Sequence, residues 1–314
     1  MLTGTPMLNS VTELWPLLHR IDPPRFSKYW SFVNQYCVFG GYENRQIIGV
    51  KNQKELTALL GEYQLRRRKK DVLDLPPVQK IQVLVGLTDL QQKLYDSVEE
   101  MLELPGPNDH VDGSEVSNAL TKFLRLKQIC GTPYAIDPEY EDSSLKLDRC
   151  IEIISEQAAR DEKVIVYTQF RGVLAAIMTR AAKTGHDALF ELHGGVPTGE
   201  RQDLVKRWAS VSGSSVIVCN TTVAGVGLNM TAARVGVFVD KLFVPGLNDQ
   251  AVDRMHRIGQ GTQPVQVYEL LAKGTVEDRI ERILRTKMKL IGNVVEGGVG
   301  MRNLLALLKQ EMGK

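Results

Sequence analysis

The sequence predicts an α/β fold: a parallel sheet with helices on both faces, preceded by helical protrusions and followed by a C-terminal helix. Three observations predict it. From residue 145 to residue 292 the pattern switches repeatedly between helical faces and short apolar runs. The runs at 164–167, 189–192, 216–219, 235–239 and 265–268 are mostly continuous rather than alternating, as in strands covered on both faces. Small or polar residues follow most of them, where open parallel sheets keep their ligands.

The elements ahead of that unit are mainly helical. A Thr-Gly-Thr-Pro turn at residues 3–6 follows almost no strand and reads as an N-terminal loop. Val11, Leu14, Trp15 and Leu18 share one helical face, and Phe26, Tyr29, Trp30, Phe32, Val33, Tyr36 and Cys37 continue an aromatic face expected to be core. The densest basic run is Arg66-Arg67-Arg68-Lys69-Lys70, just before the rigid Leu75-Pro76-Pro77 connector of a hinge region. A short strand is expected at 83–85. Thr88 and Gln91 make a capping box for a helix with Leu94 and Val98 on one face. A second helix over 114–130 carries Leu120, Phe123, Leu124 and Lys127 and completes a helical hairpin.

The division expected is 1–77 (a helical region and the basic linker), 78–144 (the hairpin), 145–293 (the α/β domain) and 294–314. The last part is a glycine-rich linker and an amphipathic stripe of Met301, Leu304, Leu305, Leu308 and Met312. Within the α/β domain, Leu147, Ile151, Ile154 and Ala158 share the first helical face. Residues 172–183 form the next helix, and Leu204, Val205 and Trp208 mark another. Thr275 caps the last.

Composition narrows the function. The chain is 43% hydrophobic and 24% charged with a net charge of +2, so contact with nucleic acid requires local patches, not a global basic field. No run approaches a membrane span, and no signal-like leader opens the sequence. An intracellular setting without membrane partners is expected, cytoplasmic for a bacterial or viral source and nuclear for a eukaryotic one. Cys37, Cys130, Cys150 and Cys219 are scattered without metal spacing and read as buried thiols in a reducing compartment; no metal site is expected on the chain.

The candidate ligand groups lie at the strand ends: Thr168 and Gln169, His193 and Gly194, Asn220 and Thr221, then Asp240. Hydroxyls, amides and glycine N–H groups there suit a phosphate backbone. The Gly225–Gly227 stretch is neither a dinucleotide fingerprint nor a phosphate-binding P-loop; it allows either close ligand approach or a tight turn. The run from Gln250 to Gln260 predicts a short helix, capped by Asn248 or Asp249 and stopped at Gly259. Gln250, Asp253, Arg254 and Arg257 would share one face. That face either meets a polyphosphate, which guanidinium forks grip well, or is a solvated surface with an Asp–Arg pair.

The order of several motifs resolves more than any one. Leu2-Thr3-Gly4-Thr5-Pro6, the stretch from Leu65 to Val72, Leu75-Pro76-Pro77, Lys127-Gln128-Ile129-Cys130, the stretch from Lys163 to Phe170, and the run from Asp249 to Gln260 occur in this order. Together they resemble the Swi/Snf family of superfamily-two helicase-like ATPases, over essentially the whole chain. Asp253-Arg254-Met255-His256-Arg257-Ile258-Gly259-Gln260 is the most specific part.

In that family two RecA-like lobes clamp ATP between them and track one strand of duplex DNA. The resemblance implies that 145–292 is the second, RecA-like lobe. Arg254 and Arg257 would be its arginine fingers, with Gln250, Asp253 and Gly227 supporting the ATP cleft. Thr168, Gln169, His193, Gly194, Asn220 and Thr221 would contact the DNA backbone. ATP with Mg²⁺ would be bound mainly by a first lobe, because no G-x-x-x-x-G-K-[ST] loop and no acidic Mg²⁺ box occurs in these residues. ATP hydrolysis is therefore expected only when that lobe, on the same or a separate chain, completes the site. Leu8 stands where the family usually has Gln, an arginine is missing after Thr222, and Phe243-Val244-Pro245 replaces Trp-Asn-Pro, which point to a divergent member. The alternative is a stand-alone DNA-binding or protein-docking module without ATPase activity; two retained finger arginines speak against it.

Overall fold

The computed structural model describes residues 10–40, 46–65, 69–101, 113–225 and 227–282. The Thr-Gly-Thr-Pro turn, Arg66 to Arg68, the hairpin tip and the terminal stripe lie outside the described residues.

The first unit has its own core. A 3₁₀ turn (Val11–Glu13) capped by the Ser10 hydroxyl leads into α1 (Leu14–Ile21), followed by α2 (Tyr29–Tyr36). An antiparallel pair, β1 (Cys37–Gly40) and β2 (Gln46–Val50), then precedes α3 (Gln53–Tyr63). Leu14, Leu18, Phe26, Phe32, Val33, Tyr36, Leu56 and Leu59 bury together between these elements. The aromatic stripe divides: Phe26, Phe32 and Tyr36 are core, whereas Trp30 is 64% exposed, so the expectation that the whole stripe is core is corrected there. Its neighbour Tyr29 packs edge-on against Trp15 instead.

After a single helical turn, α4 (Lys69–Val72), the chain enters β3 (Val78–Val85). Then come α5 (Asp89–Glu100), whose capping box at Thr88 and Gln91 is formed as the spacing predicts, and α6 (Gly113–Gly131). The remaining elements are α7 (Leu145–Ala158), β4 (Lys163–Thr168), α8 (Arg171–Ala181), β5 (Ala188–Leu192), α9 (Thr198–Ser210) and β6 (Ser215–Asn220). They are followed by α10 (Thr221–Ala224), β7 (Val235–Phe238), α11 (Pro245–Met255) and β8 (Val265–Ala272), with residues 276–282 helical beyond it.

The six strands β3 to β8 form one sheet in the order β3-β8-β7-β4-β6-β5, with every pairing parallel. Side chains alternate between its faces as the strand period requires. Val164, Val166, Val216 and Val218 meet α7 and α8 on one face; Ile165, Tyr167, Ile217 and Cys219 meet α9 and α11 on the other. This is the expected RecA-like architecture of a parallel sheet covered on both sides.

The sheet also draws on residues ahead of 145. β3 pairs with β8 over its whole length, from Val78 against Val265 to Val85 against Ala272, so an edge strand from the hairpin segment completes the domain. The strand expected at 83–85 is longer because its edge position leaves it half-covered, which blurs the apolar signal. The hairpin is anchored to the same end: Tyr95, Phe123, Leu126 and Ile129 bury with Phe243, Ala272, Val276 and Ile280.

Candidate functional site

The chain order around β4 creates the site. β4 lies between β6 and β7, and its connection enters α8 on one face, while β6 and β7 lead into α10 and α11 on the other. Open parallel sheets form their ligand crevice where connections diverge in this way, beyond the carboxyl ends of the strands.

Hydrogen bonds tie the three strand ends together. Thr168 Oγ1 donates to Asp240 Oδ2, and the Gln169 backbone N–H donates to Asp240 Oδ1 at 3.0 Å. Gln169 Nε2 reaches the Lys241 carbonyl at 3.3 Å, and Asn220 Nδ2 donates to the Gln169 carbonyl at 3.0 Å. Asn220 also caps α10, its Oδ1 accepting from the Thr222 N–H at 3.1 Å. Next to this group, Gly195 N–H donates to His193 Nδ1 at 3.0 Å, and Gly194 and Gly195 are exposed. Arg171, exposed at the start of α8, places Nη1 3.5 Å from where a Cβ on Gly195 would stand. Arg201 Nε holds the Val196 carbonyl at 2.9 Å and completes the basic border of this turn.

Two of the predicted contact residues are buried. Thr168 is buried with its hydroxyl donated to Asp240, and Thr221 is buried with no hydrogen-bond partner for Oγ1 among the described residues. Gln169, His193, Gly194 and Asn220 remain at the open end of the sheet. Thr168 acts instead through Asp240 and through the Phe170 N–H, which donates to its Oγ1 at 3.2 Å.

The arginine segment joins the same site from the side. α11 starts at Pro245, not at Asn248 or Asp249, because a proline is well placed in the first helical turn, where the backbone N–H has no partner to lose. Asn248, within the helix, bonds both the N–H and the carbonyl of Leu242, at 2.9 and 2.7 Å. The helix ends at Met255, before the predicted stop at Gly259, whose φ of +99° belongs to the following loop. Arg257 therefore lies beyond the helix and returns to it, Nε donating to the Asp253 carbonyl at 2.9 Å. Arg254 donates through Nε and Nη2 to the Gly225 carbonyl, at 3.2 and 2.7 Å. Burial first, and then the charge of Arg257, hold the Arg254 guanidinium below its ordinary pKa. Gly227 sits in the loop after Gly225 with φ +68°, a left-handed conformation that disfavours a side chain.

Asp253 pairs with Lys69 Nζ at 2.6 Å, and Lys69 also reaches the His256 carbonyl at 3.0 Å. His256 Nε2 lies 2.8 Å from the Pro76 carbonyl, so the basic linker lies along the arginine segment. That role for Lys69 was not legible in the sequence, since nothing in a charge run names its partner 184 residues away. Asp240 was placed at a strand end, but its work as the common acceptor was not. Among the described residues no group of three or more His, Cys, Asp or Glu side chains gathers to hold a metal.

The donor set fits a phosphate. Arg254 and Arg257 are held on the carbonyls of Gly225 and Asp253, and the Asp253 carboxylate just before them in sequence makes its ion pair with Lys69, so both guanidiniums keep donors for an anion.

Residues 1–135 match the SNF2-related domain and residues 145–259 the helicase conserved C-terminal domain. The chain belongs to the Swi/Snf family of superfamily-two helicase-like ATPases. It is 28% identical over 315 residues to the mouse SWI/SNF-related matrix-associated actin-dependent regulator of chromatin subfamily A member 1, covering 95% of this chain and 29% of that protein. A putative ATP-dependent helicase/translocase of Bacillus subtilis is 27% identical, with 94% of this chain and 32% of that protein aligned. The Sulfolobus solfataricus SWI2/SNF2 ATPase core in complex with dsDNA superposes with a TM-score of 0.59 at 26% identity, over 99% of this chain and 64% of that one. The chain thus spans less than a third of the length of these two curated relatives. Within the family the six-stranded sheet is the RecA-like lobe that carries the helicase C-terminal domain.

Proposed function

We propose that this chain supplies the second lobe of a DNA-dependent ATPase that moves along double-stranded DNA inside the cell. Its strand-end loops would hold the DNA backbone, and Arg254 and Arg257 would face the terminal phosphates of ATP. The observation that carries the reading is that Arg254 and Arg257 are both seated on backbone carbonyls while the neighbouring Asp253 carboxylate pairs with Lys69. Two like charges held together are relieved by an anion, and guanidiniums bind phosphate in fork geometry. The link to DNA is supported by the solved relative in complex with dsDNA. Gln169, His193, Gly194 and Asn220 supply amide, imidazole and backbone groups suited to phosphate oxygens.

ATP and Mg²⁺ would be bound mainly by a first lobe carrying a phosphate loop, on the same polypeptide or another. Bound there, the nucleotide supplies the phosphoryl group and the metal its charge neutralisation. From this chain, Arg254 and Arg257 would stabilise negative charge at the phosphates, with Gln250, Asp253 and Gly227 shaping the segment that holds them.

The test measures ATP hydrolysis with duplex DNA, by the chain alone and mixed with a first lobe. Turnover in the mixture only, lowered about 10³-fold or more by Arg257→Ala, supports the reading. Robust turnover by the chain alone would overturn it. DNA binding should also weaken steeply as salt rises, because each phosphate contact releases condensed counterions. Salt-sensitive DNA binding with no turnover in the mixture would favour a binding module instead.

A further inference from the structure

Lys127 is a buried cation on an otherwise apolar helix face, with 2% of its surface exposed. On α6 it follows Phe123 and Leu124 at helical spacing, a position at which Met or Leu would fill space without removing an ammonium group from water. Burial lowers its pKa, opposed by the charges of Asp240 and Glu277. An ammonium kept there despite the cost of desolvation calls for a use.

Its contacts converge on the seat of Gln169. Lys127 Nζ donates to the Lys241 carbonyl at 2.5 Å and stands 4.2 Å from the centre of the Phe243 ring. The same Lys241 carbonyl accepts from Gln169 Nε2, while Asp240, one residue earlier, holds the Gln169 N–H and the Thr168 hydroxyl. The carboxylate of Glu277 is engaged with Lys146 at 2.5 Å and with the Ala272 N–H at 3.1 Å. Lys127 thus makes its hydrogen bond in the turn at 240–243, and its ring contacts are to Phe243 there and, at 6.0 Å, to Phe170 beside Gln169.

We propose that Lys127 is a positioning residue for DNA binding: its ammonium fixes the Lys241 carbonyl and the Asp240 turn, and so sets where Gln169 meets the DNA backbone. The proposal rests on the DNA-binding reading above. It makes α6 of the helical hairpin a support for the strand-end loop and not only a packed appendage.

A double-mutant cycle tests it, with duplex-DNA affinity followed by fluorescence anisotropy and folding by thermal melting. Gln169→Ala removes the positioned group and should weaken binding about tenfold, the value of a hydrogen bond to a charged group. Lys127→Met should weaken it by a similar factor, and the double variant by no more than either alone, because both remove one interaction. Lys127→Gln, which keeps a donor for the Lys241 carbonyl, should recover part of the loss, and it carries the test if Lys127→Met does not fold. Wild-type affinity in Lys127→Met or Gln169→Ala, or losses that multiply in the double variant, would overturn the proposal. Wild-type protein that binds no DNA would overturn the DNA-binding reading itself and this proposal with it.

Discussion

Arg254 and Arg257 touch different things, and their substitutions should differ accordingly. Arg254 grips the Gly225 carbonyl through two donors, and only the short α10 separates Gly225 from Asn220 at the open end of the sheet. Among the described residues Arg257 bonds backward, to the Asp253 carbonyl in its own segment. With a first lobe supplied, both alanine variants should lose ATP turnover. Arg254→Ala should also weaken duplex DNA binding about two- to tenfold, the worth of a lost hydrogen bond, whereas Arg257→Ala should bind as wild type. Anisotropy titrations of the two variants decide it, and equal DNA affinities would show that the grip on Gly225 does not reach Asn220. Residue identity alone could not reveal this asymmetry. Arg254 and Arg257 were legible as a pair from their spacing, but the carbonyl each one grips depends on the loop after β6 and on the early end of α11. The bond from Thr168 to Asp240 was hidden for a related reason: a hydroxyl at a strand end serves a ligand or an internal acceptor equally well, and only Asp240 shows which.

Among the elements, α8 is seated by one close approach. A Cβ on Gly172 would stand 2.6 Å from the Ala135 Cα and 3.2 Å from its carbonyl oxygen, both backbone atoms that cannot swing aside. Gly172→Ala should therefore destabilise the protein by about 1–3 kcal/mol despite alanine's better helix propensity. Gly199→Ala in the first turn of α9 is the control: nothing lies within 4 Å of its Cβ position, so the propensity gain should leave stability unchanged or higher. Urea unfolding midpoints measure both, and a midpoint for Gly172→Ala at or above wild type would contradict the contact. The helices were readable where a local signal acts alone, as in the Thr88–Gln91 capping box, which forms as written. Elements whose place depends on distant partners were less readable. β3 carries only a loose pattern because one side of its ladder is open, and its membership in the sheet is decided by β8, which comes 180 residues later in the chain.

Across the whole molecule, the parallel sheet was legible because its central strands are apolar on both faces, and the same burial predicts how the fold responds to alkali. Cys130 and Cys150 are buried and free, and burial pushes each thiol up to about 12 from its ordinary 9.0. Cys219, Tyr95 and Tyr167 shift upward for the same first cause. In the unfolded chain these groups ionise at their ordinary values, while the folded protein holds them protonated, so the unfolded state gains from rising pH and the folded state does not. Their contribution is fully present below pH 9.0 and is lost as the pH rises towards about 12, the tyrosines joining above 10.0. Lys127 works in the opposite sense, since its lowered pKa makes its burial less costly as the pH approaches 10.5, but it is one group against several raised thiols and phenols. Urea unfolding under reducing conditions should thus show steady stability from pH 7 to about 8.5 and a progressive fall above 9. Cys150→Ala should make that fall shallower even if it lowers stability at neutral pH, because it removes one ionising thiol from the unfolded chain. A profile that stays level to pH 11, or a slope that Cys150→Ala does not change, would show that the buried thiols do not set the alkaline limit of this fold.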